Sequence, residues 1–120
     1  MTIKERRKHP RVEINNLVSY ICIDNRGNKT KKGKGKAINI SRGGILIETH
    51  DSFEWQDILK LSIDIENERH LISIKGKVIY CNADGFGKFR TGIQFLETNE
   101  KIVSFVINLL NAHSKLLGIV

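Results

Sequence analysis

Residues 59–95 read LKLSIDIENERHLISIKGKVIYCNADGFGKFRTGIQF. The stretch sets Leu59, Leu61, Ile63 and Ile65 against Lys60, Ser62, Asp64 and Glu66, the two-residue period of a strand with one face buried and one in water. The same period returns with Ile72, Ile74, Gly76, Val78 and Tyr80 on one face. Asp84-Gly85 is a tight-turn signal, and beyond it Phe89, Thr91, Ile93 and Phe95 alternate once more. Three consecutive half-buried strands joined by short polar connections predict an antiparallel sheet.

Upstream, Leu17 to Asp24 is an apolar run ending in Asn25-Arg26-Gly27-Asn28, a turn signal. Lys34 to Ile40 and Gly43 to Glu48 read as two further strands separated by Ser41-Arg42. Downstream the period changes. Ile102, Val103, Val106, Leu109, Leu110, His113 and Leu117 fall at helical spacing, with Thr98 as the expected N-cap and Gly118 as the expected stop. Six strands closed by one helix predict an all-β fold, a six-stranded antiparallel barrel with a C-terminal α-helix. The expected division is a flexible basic arm over 1–12, the barrel over 13–97 and the helix over 98–118, all in one domain of 1–120. A chain of 120 residues has room for one hydrophobic core.

Hydrophobic residues make up 40% and charged residues 28%, the composition of an ordinary soluble domain. The first residues are polar and basic, without the apolar stretch of a secretory signal, and no apolar run is long enough for a membrane span. Cys22 and Cys81 lie in apolar stretches and are expected as buried free thiols of a reduced cytoplasm. The net charge of +7 is unevenly spread. Residues 1–42 carry twelve Lys or Arg against three Asp or Glu, whereas residues 43–120 carry eight against ten. The positive field belongs to the first third of the chain and points to an anionic partner there.

Two clusters carry chemistry. Arg6-Arg7-Lys8-His9-Pro10-Arg11 places several arginines on the arm. A guanidinium is planar, always charged and forked, which matches phosphate oxygens or the O6 and N7 acceptors of guanine. In Asn39-Ile40-Ser41-Arg42-Gly43-Gly44, Asn39 and Ser41 are two apart and are expected on one strand face as an amide and a hydroxyl for a polar heterocycle. Gly43 and Gly44 let the backbone turn and approach a ligand closely. Alternatively, Asn39 and Ser41 cap backbone groups of a polar turn.

Arg-x-x-x-Arg followed by Asn-x-Ser-x-x-Gly resembles the signature of the PilZ family, with both parts intact and in order. Gly76 to Tyr80 and Gly92 to Phe95 are similar to that family's fifth and sixth strands. The resemblance implies a cytoplasmic receptor for cyclic di-GMP, with no cofactor beyond that ligand. Arg7 and Arg11 would grip phosphate and guanine, with Arg6 beside them. Asn39 and Ser41 would hydrogen-bond a guanine, Gly43 and Gly44 would admit the loop's close approach, and Tyr80 would lie against a base. The expected output is a new surface for a downstream protein partner, made when ligand draws the arm onto the barrel.

Catalysis is not expected. There is no P-loop, no dinucleotide fingerprint and no nucleophile elbow, and the four histidines are scattered without metal or triad spacing. Two alternatives keep other functions open: a PilZ-type interaction module without ligand, and a basic barrel for single-stranded nucleic acid. Nucleic acid is disfavoured because aromatics make up only 7% and do not interleave with the basic residues. The lysines of Lys29 to Lys36 read as a solubilising hairpin or as a contact for acidic lipid or protein.

Overall fold

A computed structural model describes residues 10–24, 26–65 and 70–116, with the side chains of His70 and of residues 113–116 left aside. Six strands are present: β1 (Val12–Ile23), β2 (Lys29–Ile40), β3 (Gly44–Thr49), β4 (Ile58–Ile65), β5 (His70–Ala83) and β6 (Phe89–Phe95). A single helix, α1 (Glu100–Leu116), follows. The strands close into a barrel in the order β1-β2-β3-β6-β5-β4, every pair antiparallel.

The expected barrel with its C-terminal helix is therefore the fold, and the alternation in residues 59–95 is its cause. Leu59, Leu61 and Ile63 of β4 point inward and are buried, as are Ile72, Ile74 and Val78 of β5 and Ile93 of β6. They meet Val18, Tyr20 and Cys22 of β1 and Ile45 and Ile47 of β3 in one core. Ile102 and Val106 of α1 join that core fully buried, and Phe105 and Leu110 pack against it. Phe53, in the β3–β4 connection, is buried edge-on against Tyr20, with ring centroids 5.2 Å apart.

Several boundaries differ from the sequence reading. β1 begins at Val12 and β2 at Lys29, each five residues earlier than expected. The lysine–glycine segment is thus a strand and not a turn. Lys32, Lys34 and Lys36 point outward, and the inward positions between them are glycines because other groups fill that space. A Cβ on Gly33 would lie 2.6 Å from the Tyr20 hydroxyl, and one on Gly35 would lie 2.4 Å from the Glu48 carbonyl oxygen.

The cap of α1 is Asn99, not Thr98. Its Oδ1 accepts from the backbone N–H groups of Lys101 at 2.9 Å and Ile102 at 3.1 Å, two of the donors that a helix start leaves open. Gly118 and Leu117 lie outside the described residues. Cys22 is a buried free thiol as expected, but Cys81 is only half-buried.

Candidate functional site

The β2–β3 turn is built around one hydroxyl. Ser41 follows the last residue of β2, and its Oγ accepts from the N–H of Gly43 at 3.2 Å and of Gly44 at 3.1 Å. The Ser41 N–H donates to the Gly44 carbonyl at 2.8 Å, and the Phe95 N–H donates to the Gly43 carbonyl at 2.9 Å. Ser41 is thus a buried turn-former rather than a strand residue sharing a face with Asn39. Gly44 is needed for space: a Cβ there would lie 2.5 Å from the Ile93 carbonyl oxygen. Its φ is not positive, so the constraint is steric contact and not backbone strain.

Beside this turn lies an open depression of about 520 Å³. Arg11, Ser41, Arg42, Gly43, Gly44 and Tyr80 all line it, together with Leu46, Gly92 and Glu97. Five of the eight residues singled out from sequence therefore meet at one place: Arg11, Ser41, Gly43, Gly44 and Tyr80. Arg11 and Arg42 are exposed cations there, and Glu97 at the margin is the opposing charge. Arg6 and Arg7 lie outside the described residues.

Asn39 is not part of the lining. Register places it in a row of cross-strand partners on the outside of the barrel, Glu13–Asn39–Leu46–Gly92–Tyr80, which crosses β1, β2, β3, β6 and β5. Asn39 is three strands from Tyr80, roughly 14 Å at the usual strand spacing.

The expectation that Tyr80 shares the inward face of Ile72, Ile74, Gly76 and Val78 fails. A bulge in β5 places Val78 opposite Ile93 and Tyr80 opposite Gly92, leaving Ile79 as the extra residue. Tyr80 consequently points outward and is 38% exposed. Its ring lies across β6 where that strand has no side chain: a Cβ on Gly92 would lie 2.2, 2.5 and 2.8 Å from three ring atoms.

Sequence reasoning passed over Arg42, Leu46 and Gly92. Gly92 was the one with a signal, since a glycine inside an alternating strand marks a close approach. Among the described residues no group of three or more His, Cys, Asp or Glu is placed to hold a metal ion, and no helix is long and apolar enough to cross a membrane.

The chain resembles solved structures over nearly its whole length. It matches the Bacillus subtilis inhibitor of motility MotI/DgrA at a TM-score of 0.68 and 20% identity, covering 96% of this chain and 53% of that one. The PilZ domain of YcgR from Escherichia coli, solved with c-di-GMP, matches at a TM-score of 0.65 and 9% identity, covering 97% and 100%. The K. pneumonia MrkH–c-di-GMP complex matches at 0.66 and 16%, covering 94% and 55%. The chain thus spans about half the length of MotI and MrkH and the whole of the YcgR domain. At these identities the likeness is one of fold. No curated protein sequence matches the chain. The sequence profile of the PilZ domain matches residues 5–112, and the chain belongs to the PilZ domain family.

Proposed function

We propose that this protein is a non-catalytic receptor for cyclic di-GMP, whose binding remodels a surface for a partner protein. The observation that carries the reading is the gathering of Arg11, the Ser41–Gly44 turn and Tyr80 around one depression. Membership of the family supports it, as do the YcgR and MrkH structures, both solved with c-di-GMP.

Each group has chemistry suited to that ligand. Arg11 offers a fork of donors for phosphate or for guanine O6 and N7, and Arg42 adds a second cation on the turn. Arg7 is four residues before Arg11, within about 14 Å of extended chain, and with Arg6 it can reach the same ligand. Gly43 and Gly44 leave the turn bare, so a base can approach its backbone. The Tyr80 ring, held flat over Gly92, is a stacking surface for one guanine. Asn39, three strands away on the same outer row, meets the second. Ser41 acts through the turn that it holds. Cyclic di-GMP is a cytoplasmic messenger, which puts the receptor in a compartment where Cys22 and Cys81 stay reduced.

Calorimetric titration with cyclic di-GMP, beside cyclic di-AMP and GTP, tests the reading. Cyclic di-GMP alone should bind tightly. Arg11→Ala should weaken it by about 1.5–3 kcal/mol, the range for a hydrogen bond to a charged group, without lowering the melting temperature, because Arg11 is exposed and precedes β1. No heat with any of the three nucleotides would overturn it.

A further inference from the structure

A second face of the barrel, which shares Glu97 with the margin of the Tyr80 depression, carries a charge pattern of its own. On the outside of β2, β1, β4 and β5, cross-strand partners form successive rows. One row is Lys34–Ser19–Ser62–Ser73 and the next is Lys32–Ile21–Lys60–Lys75. These two rows wall an open depression of about 680 Å³. A third row, Lys29–Ile23–Ile58–Lys77, continues the face with a lysine at each end. Lys32, Lys34, Lys60 and Lys75 are all exposed, and none is in an ion pair among the described residues. Acids bordering the face include Glu97, at the margin of the depression, Asp64, one row beyond the serines, and Glu48, which lines a smaller depression with Lys34 and Lys36 and pairs with Lys88 and Arg90.

Lys60 and Lys75 are direct cross-strand partners, an arrangement that destabilises a sheet. A surface that served only solubility would intersperse acids among these lysines. The lysines also have a regular stride, since alternate residues of a strand repeat every ~6.6–6.8 Å, and Lys32 and Lys34 are held to it by the sheet.

We propose that this face binds the phosphate backbone of a nucleic acid without reading its sequence. Lys and Ser are side chains that contact phosphate, and here four lysines and three serines share one concave surface. The same two residue types are depleted from protein–protein interfaces, which argues against a protein partner. A membrane-binding face centres on outward apolar side chains, but here Ile21 is half-buried on the floor between Lys32 and Lys60, and the exposed Leu17 and Leu71 stand beyond the serine row, outside the depression. The cations are all lysines and no aromatic side chain points outward in these rows, so there are neither guanine-reading forks nor stacking platforms.

The test is fluorescence anisotropy with a labelled short DNA duplex and with single-stranded RNA of the same length, across a salt series. Four lysines on four phosphates give a slope of log affinity against log salt of roughly −3 to −4 for the duplex, or about a 100-fold loss between about 50 and 200 mM salt. Lys32→Gln/Lys60→Gln/Lys75→Gln should bring that slope to about −1 while the melting transition stays cooperative. A control with the same charge removed elsewhere, Arg26→Gln/Lys88→Gln/Lys101→Gln, should keep the parent slope. Equal loss in the control would mean that total charge binds, and would overturn the proposal. Absence of nucleic-acid binding at low salt would overturn it too. So would lysine-dependent binding to phosphatidylserine vesicles without binding to either nucleic acid.

Discussion

The contact between Tyr80 and Gly92 allows the proposed stacking surface to be removed without touching Tyr80 itself. Gly92→Ala puts a methyl group where three atoms of the Tyr80 ring now lie, between 2.2 and 2.8 Å from an ideal Cβ. The ring is the movable partner, because it is already 38% exposed and lies outside the core. It should therefore swing off β6 while the barrel stays closed. A fully covered tyrosine buries roughly 150–250 Å². Uncovering about a third of that costs about 1–2 kcal/mol at ~25 cal/mol per Å². Replacing glycine by alanine within a strand returns about 0.5–1 kcal/mol. The net change is about 0–1.5 kcal/mol, which lowers the melting temperature by about 6 °C at most.

Affinity should fall much further, since stacking one base on an aromatic side chain is worth about 1–3 kcal/mol, or roughly 5- to 150-fold. Calorimetry on the parent, Gly92→Ala, Tyr80→Ala and the double variant closes a cycle. If Gly92 acts only by holding the ring flat, its substitution should change affinity little once Tyr80 is alanine. An equal loss in both backgrounds would refute the reasoning. So would unchanged cyclic di-GMP binding by Gly92→Ala.

Other substitutions separate turn from ligand. Ser41→Ala removes the acceptor for two N–H groups of a part-buried turn and, at about 0.5–1.5 kcal/mol for each hydrogen bond, should cost about 1–3 kcal/mol of stability, read by denaturant unfolding of the free protein. Gly44→Ala forces a methyl group against the Ile93 carbonyl oxygen, a backbone atom that cannot swing aside. It should destabilise by about 1–3 kcal/mol and weaken cyclic di-GMP binding as well, both measurable on one preparation. At high pH, Tyr20 is the group to follow. Burial, and then its hydrogen bond to Asp51, raise its pKa well above 10. The stability that the neutral phenol contributes is complete below the unfolded value of 10.0 and is lost as pH rises through the folded value. Thermal melts from about pH 9 upward should therefore decline less steeply for Tyr20→Phe than for the parent.

The fold was readable wherever side-chain alternation and backbone pairing agree. Leu59 to Ile65 alternate without interruption, β4 pairs with β5 without a register shift, and the inward residues are those that the period named. The starts of β1 and β2 were hidden for different reasons. Val12 to Asn16 is mostly polar because its outward residues meet water. In Gly33-Lys34-Gly35 the inward positions carry no side chain, so a buried strand face looks like a flexible loop. The cap at Asn99 was misassigned by one residue because Thr98 and Asn99 are both good caps, and only the two hydrogen bonds of Asn99 decide between them.

The outer row across the sheet was not readable, and two bulges explain why. Ala37 of β2 is buried, so strict alternation would turn Asn39 into the core. The register shift between Ala37 and Asn39 inserts Ile38, buries Ile40 and sets Asn39 opposite the outward Leu46. Val78 of β5 is buried in the same way, and the shift between Val78 and Tyr80 inserts Ile79 and turns Tyr80 outward over Gly92. Each bulge reverses a residue that the two-residue period would have hidden, and the two residues stand at either end of the Asn39–Leu46–Gly92–Tyr80 run. A polar amide and a phenol ring are poor core groups, and the one-residue insertions convert them into surface groups at fixed positions on a rigid sheet. An extra residue re-aims a side chain in this way where a strand borders a functional site. The sequence pattern fails at Asn39 and Tyr80 because both have been withdrawn from the packing that makes the rest of the barrel predictable.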